Sequence, residues 1–101
     1  MTCRPPPRFI WSDWFRDQVV ASAQGIDDVA CSSWYRTPSE NAAVGGDPFS
    51  QHQVGWGIDI VGAGASAVAK EARLRGLVTV NEGDHHHIQL FPAGTLRRLL
   101  G

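Results

Sequence analysis

The segment VGWGIDIV, residues 54–61, narrows what this chain can fold into more than any other stretch. Its residues alternate, so that Val54, Trp56, Ile58 and Ile60 share one face of an extended strand while Gly55, Gly57 and Asp59 share the other. The apolar face has to be covered, which calls for a sheet with other elements packed on that side. The opposite face offers a carboxylate on a surface that the glycines keep clear. His52 lies seven residues ahead of Asp59, and the other three histidines, His85, His86 and His87, open a second strand-like run, HHHIQLF. Alternation there puts His85 and His87 on one face and His86 with Ile88 and Leu90 on the other.

The rest of the chain supplies the covering elements. WSDWFRDQVVASAQG has Trp14, Phe15, Gln18, Val19 and Ala23 near helical spacing, with Ser12 as N-cap and Gly25 as stop. Asp27 and Asp28 turn the chain into a short strand over 29–33. TPSENAAVGG predicts a short helix, with Thr37 as N-cap, Pro38 at the first helical position, Glu40 completing a capping box and Gly45-Gly46 as the end. GASAVAKEARLRG reads as a helix ending at Gly76, LVTV and HHIQLF as strands about a turn at 81–84, and PAGTLRRLL as a short closing helix capped by Thr95. The four tryptophans are expected in the core or in a pocket. Residues 1–8 form an irregular proline-rich arm, and residues 9–101 a single domain. The class expected is α+β, a small antiparallel sheet with helices packed on one side.

Composition closes off several functions. A chain of 101 residues with a net charge of -1 has no electrostatic footprint for nucleic acid or an anionic membrane, and no apolar run spans a bilayer. No basic-then-apolar leader opens the chain, so no signal peptide is expected. Two cysteines define no disulfide framework, and Cys31 lies in an apolar run where a buried free thiol is the expectation.

If the two histidine-bearing segments lie side by side, His52, Asp59 and His87 converge as two nitrogens and one oxygen. Three protein ligands with one open position is the pattern of catalytic zinc, one ion per chain, because structural zinc is usually closed by four. Zinc acidifies a bound water and polarises a carbonyl, and peptide hydrolysis then needs a carboxylate base and a donor for the developing oxyanion. Asp84, three residues before His87, is the candidate base. Arg36 is the candidate donor and can hold a substrate carboxylate or carbonyl, its alternative being a structural ion pair. His85 is a candidate to stabilise the transition state or leaving group. Tyr35, beside Arg36, is a candidate to line a substrate groove. Ser50, read as a supporting or turn hydroxyl rather than a nucleophile, is the remaining substrate-side candidate. The spacing leaves a second register open, in which Glu82 and His85 take the places of Asp84 and His87.

Ser50-x-His52-x6-Asp59 with Gly55, the run DHHHIQ from Asp84, and SSWYRTPSENAAVGG together resemble the motifs of the zinc D-alanyl-D-alanine carboxypeptidases and the related phage L-alanyl-D-glutamate endopeptidases. The resemblance spans roughly residues 9–91 and implies the hedgehog/DD-peptidase fold. It also implies zinc held by His52, Asp59 and His87, base function for Asp84, a substrate or oxyanion contact for Arg36 and a supporting role for His85. The following Ile88-Gln89 favours the Asp84/His87 register. Gly57 stands where the family has alanine, a change expected to be sterically harmless, and His86 replaces an aromatic wall residue. The implied substrate is the stem peptide of bacterial peptidoglycan. The expected setting is a phage lysis enzyme or virion-associated lysin, made in the host cytoplasm and acting on the cell wall. The alternative is a non-catalytic, zinc-stabilised module of a larger assembly such as a phage particle.

Overall fold

The computed structural model describes residues 3–100. Met1 and Thr2 of the expected arm, and Gly101 at the end of the expected domain, lie outside the described residues. The elements are α1 (Asp13–Ala23), β1 (Ala30–Ser33), α2 (Pro38–Ala43), β2 (Gly57–Val61), α3 (Ala65–Leu74), β3 (Val78–Asn81), β4 (His86–Gln89) and α4 (Thr95–Leu100). Short 3-10 turns occupy Arg8–Ile10 and Gln51–Val54. The four strands form one antiparallel sheet in the order β1-β2-β4-β3, and with the helices they make an α+β fold.

Local chemistry sets the boundaries. Ser12 caps α1 by accepting the Phe15 N–H at 3.1 Å. Thr37 and Glu40 complete the capping box of α2, with Pro38 in its first turn. The β2 to β4 register pairs Ile58 with Ile88 and Asp59 with His87. Because side chains alternate, this register settles both faces at once. Ile58, Ile60 and Ile88 turn toward α1 and α3, where they bury against Phe15, Val68, Ala72 and Leu77. Asp59, His87 and Gln89 turn the other way.

Four expectations need correction. The strand does not begin at Val54: Gln51–Val54 coils into a 3-10 turn that ends at Gly55, which has φ 72°. A Cβ at Gly55 would lie 2.4 Å from Pro6 Cγ, so the left-handed turn and the close approach of the arm both demand glycine. Trp14 is 52 % exposed, because Phe15 and Ser22 hold the buried side of α1. Thr95 is the first residue of α4 rather than its cap, and its hydroxyl donates to the Pro92 carbonyl at 2.8 Å. Cys31 is no free thiol but is bonded to Cys3 across 28 positions. The pairing follows from the arm folding back along β1. Tyr35 N–H donates to the Arg4 carbonyl at 3.1 Å, Arg4 pairs with Glu40 and stacks on Tyr35, and Pro6 is buried.

Candidate metal centre and groove

The sheet face turned away from α1 and α3 forms the floor of an open groove of about 540 Å³. Arg36, His52, Asp59, His85, His87 and Gln89 lie along it, within the size range of ligand sites, roughly 300–1,000 Å³. His52 comes from the 3-10 turn, which is pinned by Ser50 Oγ accepting the His52 N–H at 3.2 Å and by the His52 carbonyl accepting the Arg36 N–H at 3.0 Å. Gln51 fixes the same turn to the end of β4, exchanging hydrogen bonds with the Phe91 backbone at 2.7 and 2.9 Å.

At the centre is Asp59, whose Oδ1 lies 3.3 Å from His52 Nε2 and 2.8 Å from His87 Nδ1. One ligand atom from each of the three residues lies within 4.8 Å of the other two. The outer nitrogen of each ring is occupied. His52 Nδ1 lies 2.6 Å from the Trp34 carbonyl and His87 Nε2 lies 2.7 Å from Gln89 Oε1. Both partners are pure acceptors, so each outer nitrogen must carry the proton. In the neutral imidazoles the inner nitrogens then present lone pairs to a carboxylate oxygen. Two nitrogen lone pairs at hydrogen-bonding distance from one carboxylate oxygen repel it unless a cation lies among them. A tetrahedral zinc ion with bonds of about 2.0–2.1 Å holds its donors about this far apart, so the donor set fits the ion.

Electrostatics agree. Burial opposes ionisation of Asp59, but the hydrogen bonds and positive charge of His52 and His87 outweigh it and hold the carboxyl well below the usual range. Burial likewise opposes charge on His87, yet hydrogen bonds to Asp59 and Gln89 and the fields of Asp59 and Glu82 raise it above its ordinary value. Both shifts have the sign expected of a cluster that favours positive charge at its centre.

The other candidates separate. Arg36 lines the groove, but its donors are engaged: Nη2 reaches Asp59 Oδ2 at 3.2 Å, Nε reaches Ser33 Oγ at 3.2 Å and Nη1 reaches Asn41 Oδ1 at 3.3 Å. It holds the second oxygen of Asp59 and leaves Oδ1 facing the histidines. Ser50 lines the groove as the cap of the His52 turn. Tyr35 is not among the lining residues, because its ring takes the Arg4 guanidinium at 5.1 Å. His85 does line the groove, with Nε2 3.8 Å from Asp59 Oδ1 and Nδ1 2.6 Å from Asp84 Oδ1. Asp84 itself is 89 % exposed and outside the groove lining, whereas Glu82 is part of it. The convergent donor set contains His87, not His85. His86 falls on the Ile88 side of β4, outside the groove. Gly57 is not sterically neutral: a Cβ there would lie 3.1 Å from His87 Cε1, so alanine requires the ring to shift. Sequence reasoning did not assign Gln89 its role, although its place two residues after His87 puts it on the same face.

Three convergent donors at the floor of an open groove, on a small antiparallel sheet, are the arrangement of a metallopeptidase. A family model described as Peptidase M15 matches residues 16–89, and the chain belongs to that family of zinc-dependent, D-alanyl-D-alanine carboxypeptidase-like peptidases. The four-stranded α+β fold is compatible with the family's fold. No curated protein and no solved structure matches the chain significantly.

Proposed function

We propose that the protein is a zinc peptidase that hydrolyses a peptide bond in the stem peptide of bacterial peptidoglycan, as a carboxypeptidase or endopeptidase. In this reading it is a phage lysis enzyme or virion-associated lysin, made in the host cytoplasm and acting on the cell wall. The observation that carries it is the convergence of His52, Asp59 and His87 on an open groove in a chain of this family. Zinc bound there supplies Lewis acidity to activate water and polarise the scissile carbonyl. The protein's own residues orient and move protons. Arg36 fixes the Asp59 carboxylate, the Trp34 carbonyl and Gln89 fix the two imidazoles, and the hydrogen-bonded pair Asp84–His85 exchanges protons at the groove wall through His85 Nε2.

The test is digestion of purified sacculi by zinc-loaded protein, with released peptides identified by mass spectrometry. Cleavage at one stem bond, lost in Asp59→Ala, is the expected result. Asp84→Ala should retain zinc and lower turnover by a factor on the order of 10² to 10⁴. The exposed position of Asp84 favours one competing reading, a non-catalytic zinc-stabilised module of a larger assembly. That reading predicts bound zinc and intact sacculi.

A further inference from the structure

The family match ends at residue 89, but the groove does not. Its far wall comes from the chain that follows, where Leu96 of α4 is buried and Arg97 faces the groove. Two arginines therefore line it, and they differ in commitment. Arg36 is tied to Ser33, Asn41 and Asp59. The Arg97 guanidinium, among the described residues, makes no hydrogen bond or ion pair, although the carboxylates of Asp47 and Glu82 line the same groove.

Arg97 is nevertheless held in place. Its guanidinium carbon lies 4.8 Å from the centre of the Phe49 ring. The loop under Phe49 is itself fixed: Asp47 Oδ1 accepts the Phe49 N–H at 2.8 Å, and the Asp47 carbonyl accepts a hydrogen bond from Asn41 Nδ2 at 2.8 Å. Asn41 is buried in the capped helix α2, so the stacking platform is anchored to the body of the fold. A planar guanidinium stacked on one face keeps its in-plane N–H fork free to meet a carboxylate with two parallel hydrogen bonds.

We propose that Arg97 is the anchor for a carboxylate of an acidic peptide substrate, fixing that peptide in the groove relative to His52, Asp59 and His87. The inference deepens the peptidase reading and rests on it for the identity of the peptide. A lysine-type stem peptide carries two such groups, the free α-carboxylate of its γ-linked D-glutamyl residue and its C-terminal carboxylate. Either has the chemistry that Arg97 would recognise.

The test compares zinc-loaded wild type, Arg97→Gln and Arg97→Lys against three synthetic lysine-type stem pentapeptides ending in D-alanyl-D-alanine: one with both carboxylates free, one amidated at the D-glutamyl carboxylate and one amidated at the C-terminus. Binding is read by surface plasmon resonance in the cold, and cleavage is read by chromatography of warmed mixtures. Wild type should bind the free acid on the order of fivefold more tightly than one of the amides at low ionic strength, the upper end for an exposed ion pair, and that amide identifies the anchored carboxylate. Arg97→Gln should lose this preference while binding the same amide as wild type does, and Arg97→Lys should keep part of it. The proposal is overturned if wild type shows no carboxylate preference, or if Arg97→Gln weakens all three peptides equally or none. Cleavage reports separately: a preference erased by Arg97→Gln without any cleavage sinks the peptidase reading and leaves the anchor. Cleavage with a preference that Arg97→Gln does not move does the reverse.

Discussion

Gln89→Leu tests whether the outer hydrogen bonds set the state of the metal-facing nitrogens. Gln89 is 9 % exposed, accepts from His87 Nε2 at 2.7 Å and donates to the Phe91 carbonyl at 2.7 Å. Leucine fills similar space but offers no acceptor. The partly buried His87 ring is then left with an unpaired N–H, a cost of about 1–3 kcal/mol, unless the proton moves to Nδ1. There it points at Asp59 Oδ1 and occupies the position a metal needs. Either route weakens metal binding, and loss of such an outer partner typically costs about 10- to 100-fold in affinity. That range converts to about 1.4–2.7 kcal/mol, which agrees with the cost of the unpaired group. The assay is competition for zinc against a chromophoric chelator at neutral pH, with thermal unfolding of the metal-free variant as the control for folding. Gln89→Glu, which keeps an acceptor, should hold affinity within a few-fold of wild type. Unchanged zinc affinity in Gln89→Leu refutes the tautomer argument. Equal loss in the leucine and glutamate variants assigns the effect to packing instead.

Three further outcomes follow from the same geometry. Because its contacts with Asp59 and Gln89 raise His87 above 6.5, a proton competes with the metal; zinc affinity measured by chelator competition should fall as pH is lowered through that raised pKa, about tenfold per unit for one proton. Glu40 is lowered from 4.5 to about 2 by the Thr37 backbone hydrogen bond and by Arg4, so its contribution to stability is complete above 4.5 and is lost as pH falls toward 2. Thermal unfolding across that window should show a dependence that Glu40→Gln reduces. Replacing both Cys3 and Cys31 with serine opens a crosslink between residues 28 apart, and denaturant titration should show a loss of about 3–4 kcal/mol by loop entropy.

Much of the architecture was legible because it is encoded locally. A Thr37/Glu40 capping box, a Ser12 cap and period-two alternation act over a few residues, and each appears in the structure where the sequence puts it. Alternation also divided the histidines correctly, sending His85 and His87 to one face and His86 to the other. It failed at Val54 because periodicity does not register the 3-10 turn over Gln51–Val54, which Ser50 caps and Gly55 ends in the left-handed conformation.

The sequence by itself determined most of the elements, the polar face of the sheet and the identity of the candidate ligands, since these depend on residue type and short-range periodicity. Tertiary structure alone decided what those residues are bonded to. Strand register placed Asp59 opposite His87, the fold-back of the arm joined Cys3 to Cys31, and hydrogen bonds over tens of residues committed Arg36 to Asp59. The stack on Phe49 left Arg97 free above the groove. Contacts of this kind depend on where distant segments meet when the core closes, and no local pattern carries that information.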